Sequence, residues 1–282
     1  MLRVCIKPTT FTLTPIQDKQ NNYIDLHNSV SKTSALKQHG ELVKAFANVY
    51  LYTLKKPEDS LPDIVFTANA GLCLPRLSRN PIVLLPYMKY PQRQAELKYL
   101  KQIYEELGVQ TIEFPGDESA PFEGQAELKW FHGGTKAVCG YGHRSTKKSF
   151  DIVDRLFKKI YGAHKAPELL VLHLKSADYY HLDVAMLEFD DTKCIVHRKA
   201  FSAESIKKLK GFLGPENVFV IDTDDTFCLN AVVDGPTLVT HMLTAPLKKE
   251  LEGITGKDIR MVNTSEFEKS GGSVRCMTLD IF

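Results

Sequence analysis

The sequence of 282 residues has no long apolar run and no excess of either charge. No stretch approaches the roughly 18 to 20 apolar residues that span a bilayer, and Met1 to Lys7 lacks the apolar core of a secretory signal. The 36 basic and 34 acidic residues nearly cancel, and the lysines form no basic stripe. The sequence therefore predicts a cytoplasmic protein with neither a membrane nor a nucleic acid as partner.

Cysteine is scarce and scattered along the chain. The six cysteines occupy positions 5, 73, 139, 194, 228 and 276, with no CxxC pair and no zinc-ligand spacing. We therefore expect neither a disulfide framework nor a structural zinc site. Segments of low complexity are missing too, because glycines and prolines fall singly at turns, so we predict one domain over residues 1–282.

Apolar residues recur at helical spacing in five segments, which are separated by short β-like runs. The predicted helices are Pro91–Leu107, Ser145–Tyr161, Leu36–Phe46, Ser202–Leu213 and Ala245–Leu251. The predicted strands are Asp63–Thr67, Ile82–Leu85, Thr111–Phe114, Leu169–Leu174, Val218–Ile221 and Thr237–Thr240. A recurring strand-strand-helix-strand unit explains this spacing, because only neighbouring units can cover the apolar face of each unit.

The segment from Ser270 to Thr278 places one cysteine in a context suited to a nucleophile. Cys276 follows a glycine-bearing loop, stands beside Arg275 and precedes a predicted last strand. A neighbouring cation lowers the pKa of a thiol and thereby activates it. A cysteine in isolation, however, is more often a small buried apolar residue.

Three further segments carry polar groups that suit a catalytic site. Tyr180-His181-Leu182-Asp183 offers an imidazole and a carboxylate that face the same side of an extended segment, as a general acid/base beside a cation-binding carboxylate would require. Phe122-Glu123-Gly124 sets a carboxylate beside a glycine, where a ligand can approach the backbone. Asn69 follows a predicted strand. Each of these residues, taken alone, is equally well explained as part of a loop or turn.

Together and in this order, these segments resemble the site motifs of the guanidino-modifying pentein superfamily. The resemblance runs through LPDIVFTANAGL, FEGQAEL, CGYGHRS, YYHLD, CLNAVV and GGSVRCMTL. The superfamily contains dimethylarginine dimethylaminohydrolases, arginine deiminases, amidinotransferases, and arginine or N-succinylarginine dihydrolases. The resemblance implies a five-bladed α/β propeller of pseudo-fivefold ββαβ units, with the active site in its central channel and no metal or organic cofactor.

The resemblance also implies a role for each matching residue. Cys276 is the expected nucleophile and His181 the expected general acid/base. Glu123 and Asp183 are the carboxylates expected to grip the guanidinium of a small-molecule substrate, whose N–H groups suit bidentate acceptors.

Cations are expected to bind the α-carboxylate of the substrate. Arg144 resembles the arginine that does so, and its planar fork fits a carboxylate; its alternative role is a surface cation at the start of the next helix. A second family arginine falls where this chain has Lys89, and Arg93 lies close enough along the chain to take its place. Asn22 matches a ligand-contacting asparagine.

Asn69 bears on which guanidine reaction occurs. Deiminases resemble this segment but carry aspartate, whereas dihydrolase-like members carry asparagine. A neutral amide can donate to the oxygen of a ureido group, which permits a second hydrolysis of a citrulline-like intermediate. The leading prediction is therefore an arginine dihydrolase that yields ornithine, carbon dioxide and two ammonia.

Other functions stay open from the sequence. A dimethylarginine dimethylaminohydrolase or a deiminase stops at citrulline, and an amidinotransferase passes the adduct to an amine. A non-catalytic binding protein would retain the pocket. A Cys/His acyl-transfer enzyme, such as a protease, fits Cys276 and His181 alone, but carboxylates around the thiol are unsuited to a peptide carbonyl. A homo-oligomer is compatible with the sequence.

Overall fold

A computed structural model describes residues 1–14, 22–55, 60–77 and 80–282. In these ranges the strands form five three-stranded sheets. Every sheet combines an antiparallel pair with a parallel pair that shares the middle strand. Helical structure connects the two parallel strands. The predicted α/β class and the recurring ββαβ unit are confirmed.

The first unit comprises β1 (Leu2–Ile6), α1 (Lys32–Val43) and β2 (Val49–Tyr52). The second comprises β3 (Leu72–Cys73), β4 (Ile82–Leu85), α2 (Pro91–Gln94), α3 (Leu97–Glu106) and β5 (Gln110–Glu113). The third comprises β6 (Leu128–Phe131), β7 (Lys136–Tyr141), α4 (Lys147–Tyr161) and β8 (Glu168–His173). The fourth comprises α5 (Leu182–Ala185), β9 (Met186–Glu188), β10 (Cys194–His197), α6 (Ala203–Leu213) and β11 (Val218–Ile221). The fifth comprises β12 (Val232–Asp234), β13 (Thr237–Thr240), α7 (Ala245–Thr255) and β14 (Asp258–Met261), and is followed by α8 (Ser265–Glu268) and β15 (Leu279–Ile281).

Strand β15 completes the sheet of the first unit. It pairs antiparallel with β1, so that Leu2 lies opposite Ile281. Arg3 is 2% exposed and forms ion pairs with Asp280 at 2.8 Å and Asp234 at 3.2 Å. The last strand thus joins the first sheet, and the five units form a closed series. This closure supports the propeller arrangement that the resemblance implies.

Helix α4 shows how the sequence sets an element against the core. The Thr146 backbone N–H donates to Ser149 Oγ at 3.1 Å at the start of the helix, which satisfies one of the free donors there. Phe150, Val153 and Phe157 repeat at helical spacing and are fully buried. The ring of Phe150 meets the ring of Phe122 edge to face at 6.1 Å. The helix therefore packs directly against the segment that carries Glu123.

The predicted strand over Asp63–Thr67 is wrong. These residues form a turn, in which the Phe66 N–H donates to the carbonyl of Asp63 at 2.9 Å. Ile64 and Val65 are buried as strand residues would be, so burial produced the β-like pattern without a strand. A short 3₁₀ helix, Thr67–Ala70, follows.

The helix predicted over Pro91–Leu107 is divided at residues 95–96 into α2 and α3. The four other predicted helices are present with shifted ends, as α1, α4, α6 and α7. The glycine turns at 132–134 and 234–236 join antiparallel strands. No helix in the described ranges is long and apolar enough to cross a membrane.

Candidate active site

Five short segments, each lying just before the outer antiparallel strand of a sheet, meet at one place. They are residues 67–70, 123–126, 181–185, 227–230 and 273–278. They bring together the side chains of Asn69, Glu123, His181, Asp183, Asn230 and Cys276, each of which is within 3.5 Å of at least one other. Each of the five sheets therefore contributes, through the segment before one outer strand, side chains to a common site.

Cys276 is 4% exposed and faces a carboxylate and an amide. Its Sγ lies 3.5 Å from Asp183 Oδ2, and Asn230 Nδ2 donates to Sγ at 3.1 Å. Burial raises the pKa of the thiol above its ordinary value, and the Asp183 charge raises it further. The free protein therefore holds Cys276 mainly as a thiol.

The net pKa of the Cys276 thiol is raised even though Arg275 is its neighbour along the chain. The Arg275 guanidinium lies 3.2 Å from Asp280 Oδ2 and donates to Thr278 Oγ1 at 3.2 Å. An acidic partner thus balances its charge, and sequence adjacency alone did not show this pairing.

Glu123 and His181 are in direct hydrogen-bond contact. His181 Nε2 lies 2.8 Å from Glu123 Oε2, and Glu123 is fully buried. Burial alone would raise the pKa of Glu123, but Arg144 and His181 outweigh it and hold this pKa below its ordinary value. The Glu123 carboxylate is therefore ionised, so the Nε2–H of His181 is the donor in this contact.

Asp183 sits in the single turn of α5, with His181 extended before it. The expected fully extended segment is therefore wrong, although both side chains still reach the site. Burial raises the pKa of Asp183, against the opposing effect of His181. In the described part of the chain, Asp183 Oδ1 is buried without a hydrogen-bond partner. A buried carboxylate oxygen in this state is an acceptor available to a cation.

Asn69 is oriented by Arg93. Arg93 Nη1 donates to Asn69 Oδ1 at 2.8 Å, which directs Asn69 Nδ2 towards Glu123 Oε2 at 3.3 Å and His181 Nε2 at 3.4 Å. Arg93 also pairs with Glu96 through two oxygens at 2.8 and 3.0 Å. All three guanidinium nitrogens of Arg93 are engaged, which favours a structural role over binding of a substrate carboxylate.

Arg144 lies between two aromatic rings at the pocket. Its guanidinium carbon is 4.8 Å from the Tyr90 ring centre and 4.9 Å from that of Tyr180. Its Nη1 is 3.5 Å from Glu123 Oε2. Arg144 is only 8% exposed. Its alternative role as a surface cation at the start of the next helix is therefore excluded.

Lys89 stands beside this cation. Its backbone N–H donates to Glu123 Oε1 at 3.1 Å, and its Nζ donates to the carbonyl of His143 at 2.5 Å. Partial burial, followed by the nearby Arg144 charge, lowers the pKa of Lys89. Lys89 and Arg144 thus form a positive edge next to the carboxylates.

The pocket is lined by Ile24, Asp63, Phe66, Asn69, Tyr90, Gln92, Arg93, Arg144, Tyr180, His181, Ser270 and Cys276. Asn22 is exposed and is not in this lining, although Ile24, two residues later, is. Among the described residues, no group of three or more His, Cys, Asp or Glu side chains is placed to hold a metal ion.

Sequence reasoning missed Asn230, Tyr90 and Tyr180 as site residues. Asn230 lies in CLNAVV and Tyr180 in YYHLD, so two of the matched motifs already contained them. Tyr90 directly follows Lys89. An aromatic residue or an amide has many structural uses, and nothing local to the sequence separated these residues from others of their type.

Comparisons with known proteins agree with this geometry. A family model described as N,N dimethylarginine dimethylhydrolase, eukaryotic, matches residues 7–282. The bifunctional arginine dihydrolase/ornithine cyclodeaminase ArgZ of Synechocystis sp. is 29% identical over 259 residues, which are 91% of this chain and 34% of that protein. The N(G),N(G)-dimethylarginine dimethylaminohydrolase of Mycobacterium tuberculosis is 28% identical over 229 residues, which are 81% of this chain and 69% of that protein.

A solved structure extends the likeness to the fold. It is the N-terminal domain of ArgZ, a cyanobacterial arginine dihydrolase, as a mutant bound to substrate. The TM-score is 0.82 at 26% sequence identity, over 98% of this chain and 96% of that domain. The chain spans about a third of the length of ArgZ itself, at 34%.

Proposed function

Because this chain belongs to the N,N-dimethylarginine dimethylhydrolase family, we propose that it hydrolyses the guanidine group of arginine through a covalent adduct on Cys276. The proposed reaction is that of an arginine dihydrolase, in which arginine and two water molecules give ornithine, carbon dioxide and two ammonia. The observation that carries the choice is the orientation of Asn69, whose N–H₂ group is turned into the site by Arg93.

The carboxylates supply the binding step. Glu123 and the unpaired Oδ1 of Asp183 are buried acceptors that suit the N–H groups of a guanidinium. The bound cation would offset the Asp183 charge and so lower the pKa of the Cys276 thiol. We expect the thiolate to form mainly when substrate is bound. Lys89 and Arg144 supply the charge for the α-carboxylate.

The chemical step then proceeds at one carbon. Cys276 Sγ adds to the guanidine carbon, and His181 donates a proton to the departing ammonia, which leaves a thiouronium adduct. His181 next takes a proton from water, which adds to the same carbon and releases the thiolate with a ureido product. Cys276 Sγ then adds to the ureido carbon, His181 donates a proton to the second departing ammonia, and a thiocarbamate remains on Cys276. Water releases this group as a carbamate, which loses carbon dioxide to give ornithine.

Asn69 supports the second round. An aspartate at this place would present only acceptors when ionised, as a cationic guanidinium prefers. The Asn69 amide instead presents N–H donors at the site, where Nδ2 lies 3.3 Å from Glu123 Oε2 and where the oxygen of a ureido group can accept a hydrogen bond. A dimethylarginine dimethylaminohydrolase is the second candidate, because the matching family model bears that description.

Product analysis tests the proposal. Purified protein is incubated separately with arginine, citrulline and dimethylarginine, and the products are identified by mass spectrometry. Cys276→Ala is the inactive variant, and Cys228→Ala, which removes another buried thiol, is its matched control. Ornithine and ammonia from arginine support the dihydrolase, and Asn69→Asp should then release citrulline. Citrulline from the unaltered protein would assign a deiminase or a dimethylaminohydrolase, and no cysteine-dependent product would favour a binding protein.

We also propose a cytoplasmic location for this small-molecule enzyme. All six cysteines are free thiols, which is the usual state in a reducing compartment. Fractionation of cells that express the tagged protein would test this location.

A further inference from the structure

Asn230 makes four hydrogen bonds that leave its amide no freedom. Its Oδ1 accepts from the backbone N–H of Arg275 at 2.9 Å and from that of Cys276 at 3.2 Å. Its Nδ2 donates to the carbonyl of Asp183 at 3.1 Å and to Cys276 Sγ at 3.1 Å. Asn230 is also fully buried, so water does not compete for these bonds.

The two ends of the amide cannot be exchanged. A reversed amide would set Nδ2 against the backbone N–H donors of Arg275 and Cys276 and Oδ1 against a carbonyl oxygen, which would leave the buried Cys276 N–H and the amide itself without these hydrogen bonds. The hydrogen-bond pattern therefore fixes a side-chain N–H on the sulfur.

The sulfur needs such a donor because burial and the Asp183 carboxylate oppose a negative charge on it, and apart from Asn230 a hydrogen bond from the Ser273 backbone acts against them. Asp183 Oδ2 is 3.5 Å away, and Arg275 is turned to Asp280. Burial raises the pKa of the thiol and Asp183 adds to this, whereas the Asn230 hydrogen bond lowers it. A donor to a buried anion contributes more than one to a neutral group.

We infer that Asn230 is a further catalytic residue, which stabilises the Cys276 thiolate through Nδ2 while its Oδ1 fixes the backbone that carries the nucleophile. The inference deepens the proposed function and rests on Cys276 being its nucleophile. It also completes the set of five segments, since the segment before β12 now contributes to the chemistry as the other four do.

Substitutions separate the donor from the backbone anchor. Asn230→Asp keeps oxygen acceptors for the N–H groups of Arg275 and Cys276 but loses the donor. Asn230→Leu and Asn230→Ala lose both without adding charge. The matched control is Asn217→Asp, because Asn217 Nδ2 likewise donates to a backbone carbonyl, that of Leu213 at 2.7 Å, in a turn before β11.

The measurement is the rate of Cys276 alkylation by iodoacetamide between pH 6 and pH 10, followed by mass spectrometry of the peptide that contains Cys276. We expect all Asn230 variants to react about tenfold more slowly than the unaltered protein throughout this pH range, because a higher thiol pKa leaves a smaller fraction of thiolate at every pH. The Asn217→Asp profile should be unchanged. Thermal melting of each variant shows whether it is folded.

Two results would overturn the inference. One is an unaltered pH profile in the folded Asn230 variants, whatever their stability, because a purely structural anchor moves the melting temperature alone. The other is a shift in Asn230→Asp without one in the neutral variants, because the added charge would then explain it. Alkylation requires no substrate, so either result is distinct from failure of the proposed reaction.

Discussion

His241 is a buried histidine held between two carboxylates outside the site. Its Nε2 lies 3.0 Å from Asp225 Oδ1, and its Nδ1 lies 3.3 Å from Glu268 Oε1. Burial alone would lower the pKa of His241, but the two acids outweigh it and raise this pKa from 6.5 to about 9. The folded protein therefore binds a proton here more tightly than the unfolded chain does. The resulting stability is complete below pH 6.5 and is lost as the pH rises through about 9.

We predict that His241→Gln removes this part of the pH dependence. Between pH 6 and pH 10 the unaltered protein should lose up to about 3 kcal/mol more of its free energy of unfolding than the variant does. Urea unfolding at both pH values measures the difference. His164→Gln, in an exposed turn, is the control and should behave as the unaltered protein. Equal losses in His241→Gln and the unaltered protein would contradict the prediction.

At the scale of residues, the sequence indicates which side chains are reactive better than it indicates which residues they contact in the fold. Cys276, His181, Glu123 and Asp183 could be selected because their motifs carry reactive groups in a fixed order. The pairing of Arg93 with Asn69 spans 24 positions, and that of Asn230 with Cys276 spans 46. Such contacts depend on how units pack, which no local pattern contains.

At the scale of elements, Gly124 sets the distance between two of the converging segments. It has a φ of +67°, and a Cβ added there would lie 2.5 Å from the carbonyl oxygen of Gly71. The neighbouring Gln125 N–H donates to the same oxygen at 2.9 Å. The segments that carry Asn69 and Glu123 therefore touch backbone to backbone.

We predict that Gly124→Ala lowers both stability and turnover. The matched control is Gly133→Ala, because Gly133 has a φ of +60° but open space around its Cα. The control should lose about 1 kcal/mol from backbone strain alone, whereas Gly124→Ala should lose at least about 2 kcal/mol more, as expected for overpacking. Its turnover should fall because Glu123 moves. Similar losses of stability and turnover in the two variants, measured by urea unfolding and product formation, would exclude a role for the Gly71 contact.

Elements with clear periodicity could be predicted, and buried irregular segments could not. The helix over Ser145–Tyr161, observed as α4, could be predicted from the apolar residues Ile152, Val153, Leu156, Phe157 and Ile160. The Asp63–Thr67 turn was mistaken for a strand because a buried turn and a buried strand both demand apolar residues. The site is built mainly from segments of this second kind.

At the scale of the whole molecule, the ion pairs of Arg3 hold the first and last strands together. Arg3 joins Asp280 and Asp234 and is almost fully buried. Its guanidinium also lies 4.3 Å from the Phe46 ring centre. Without Arg3, Asp234 would lose this ion pair and Asp280 would keep Arg275 as its cationic partner.

We predict that Arg3→Met lowers the free energy of unfolding by about 3 kcal/mol. Arg198→Met is the control, because Arg198 pairs with Asp222 on the surface, where both side chains are more than half exposed, and should cost less than about 1 kcal/mol. Urea unfolding of both variants measures the two costs. A loss in Arg3→Met as small as that in Arg198→Met would show that these ion pairs do not stabilise the closure.

The repeat of five units could be predicted from helix spacing, whereas the closure could not. The pairing of Leu2 with Ile281 joins residues at opposite ends of the printed sequence. The three residues of β15 are too few for their apolar and polar pattern to indicate the strand with which they pair.

The proposed nucleophile lies only three residues before the strand that closes the molecule. Cys276 precedes Leu279, the first residue of β15, so the pairing of β15 with β1 restricts the backbone close to the sulfur. We therefore expect closure of the molecule and placement of the thiol to be coupled. A comparison of the times at which native Cys276 reactivity and the β1–β15 pairing appear during refolding would test this coupling.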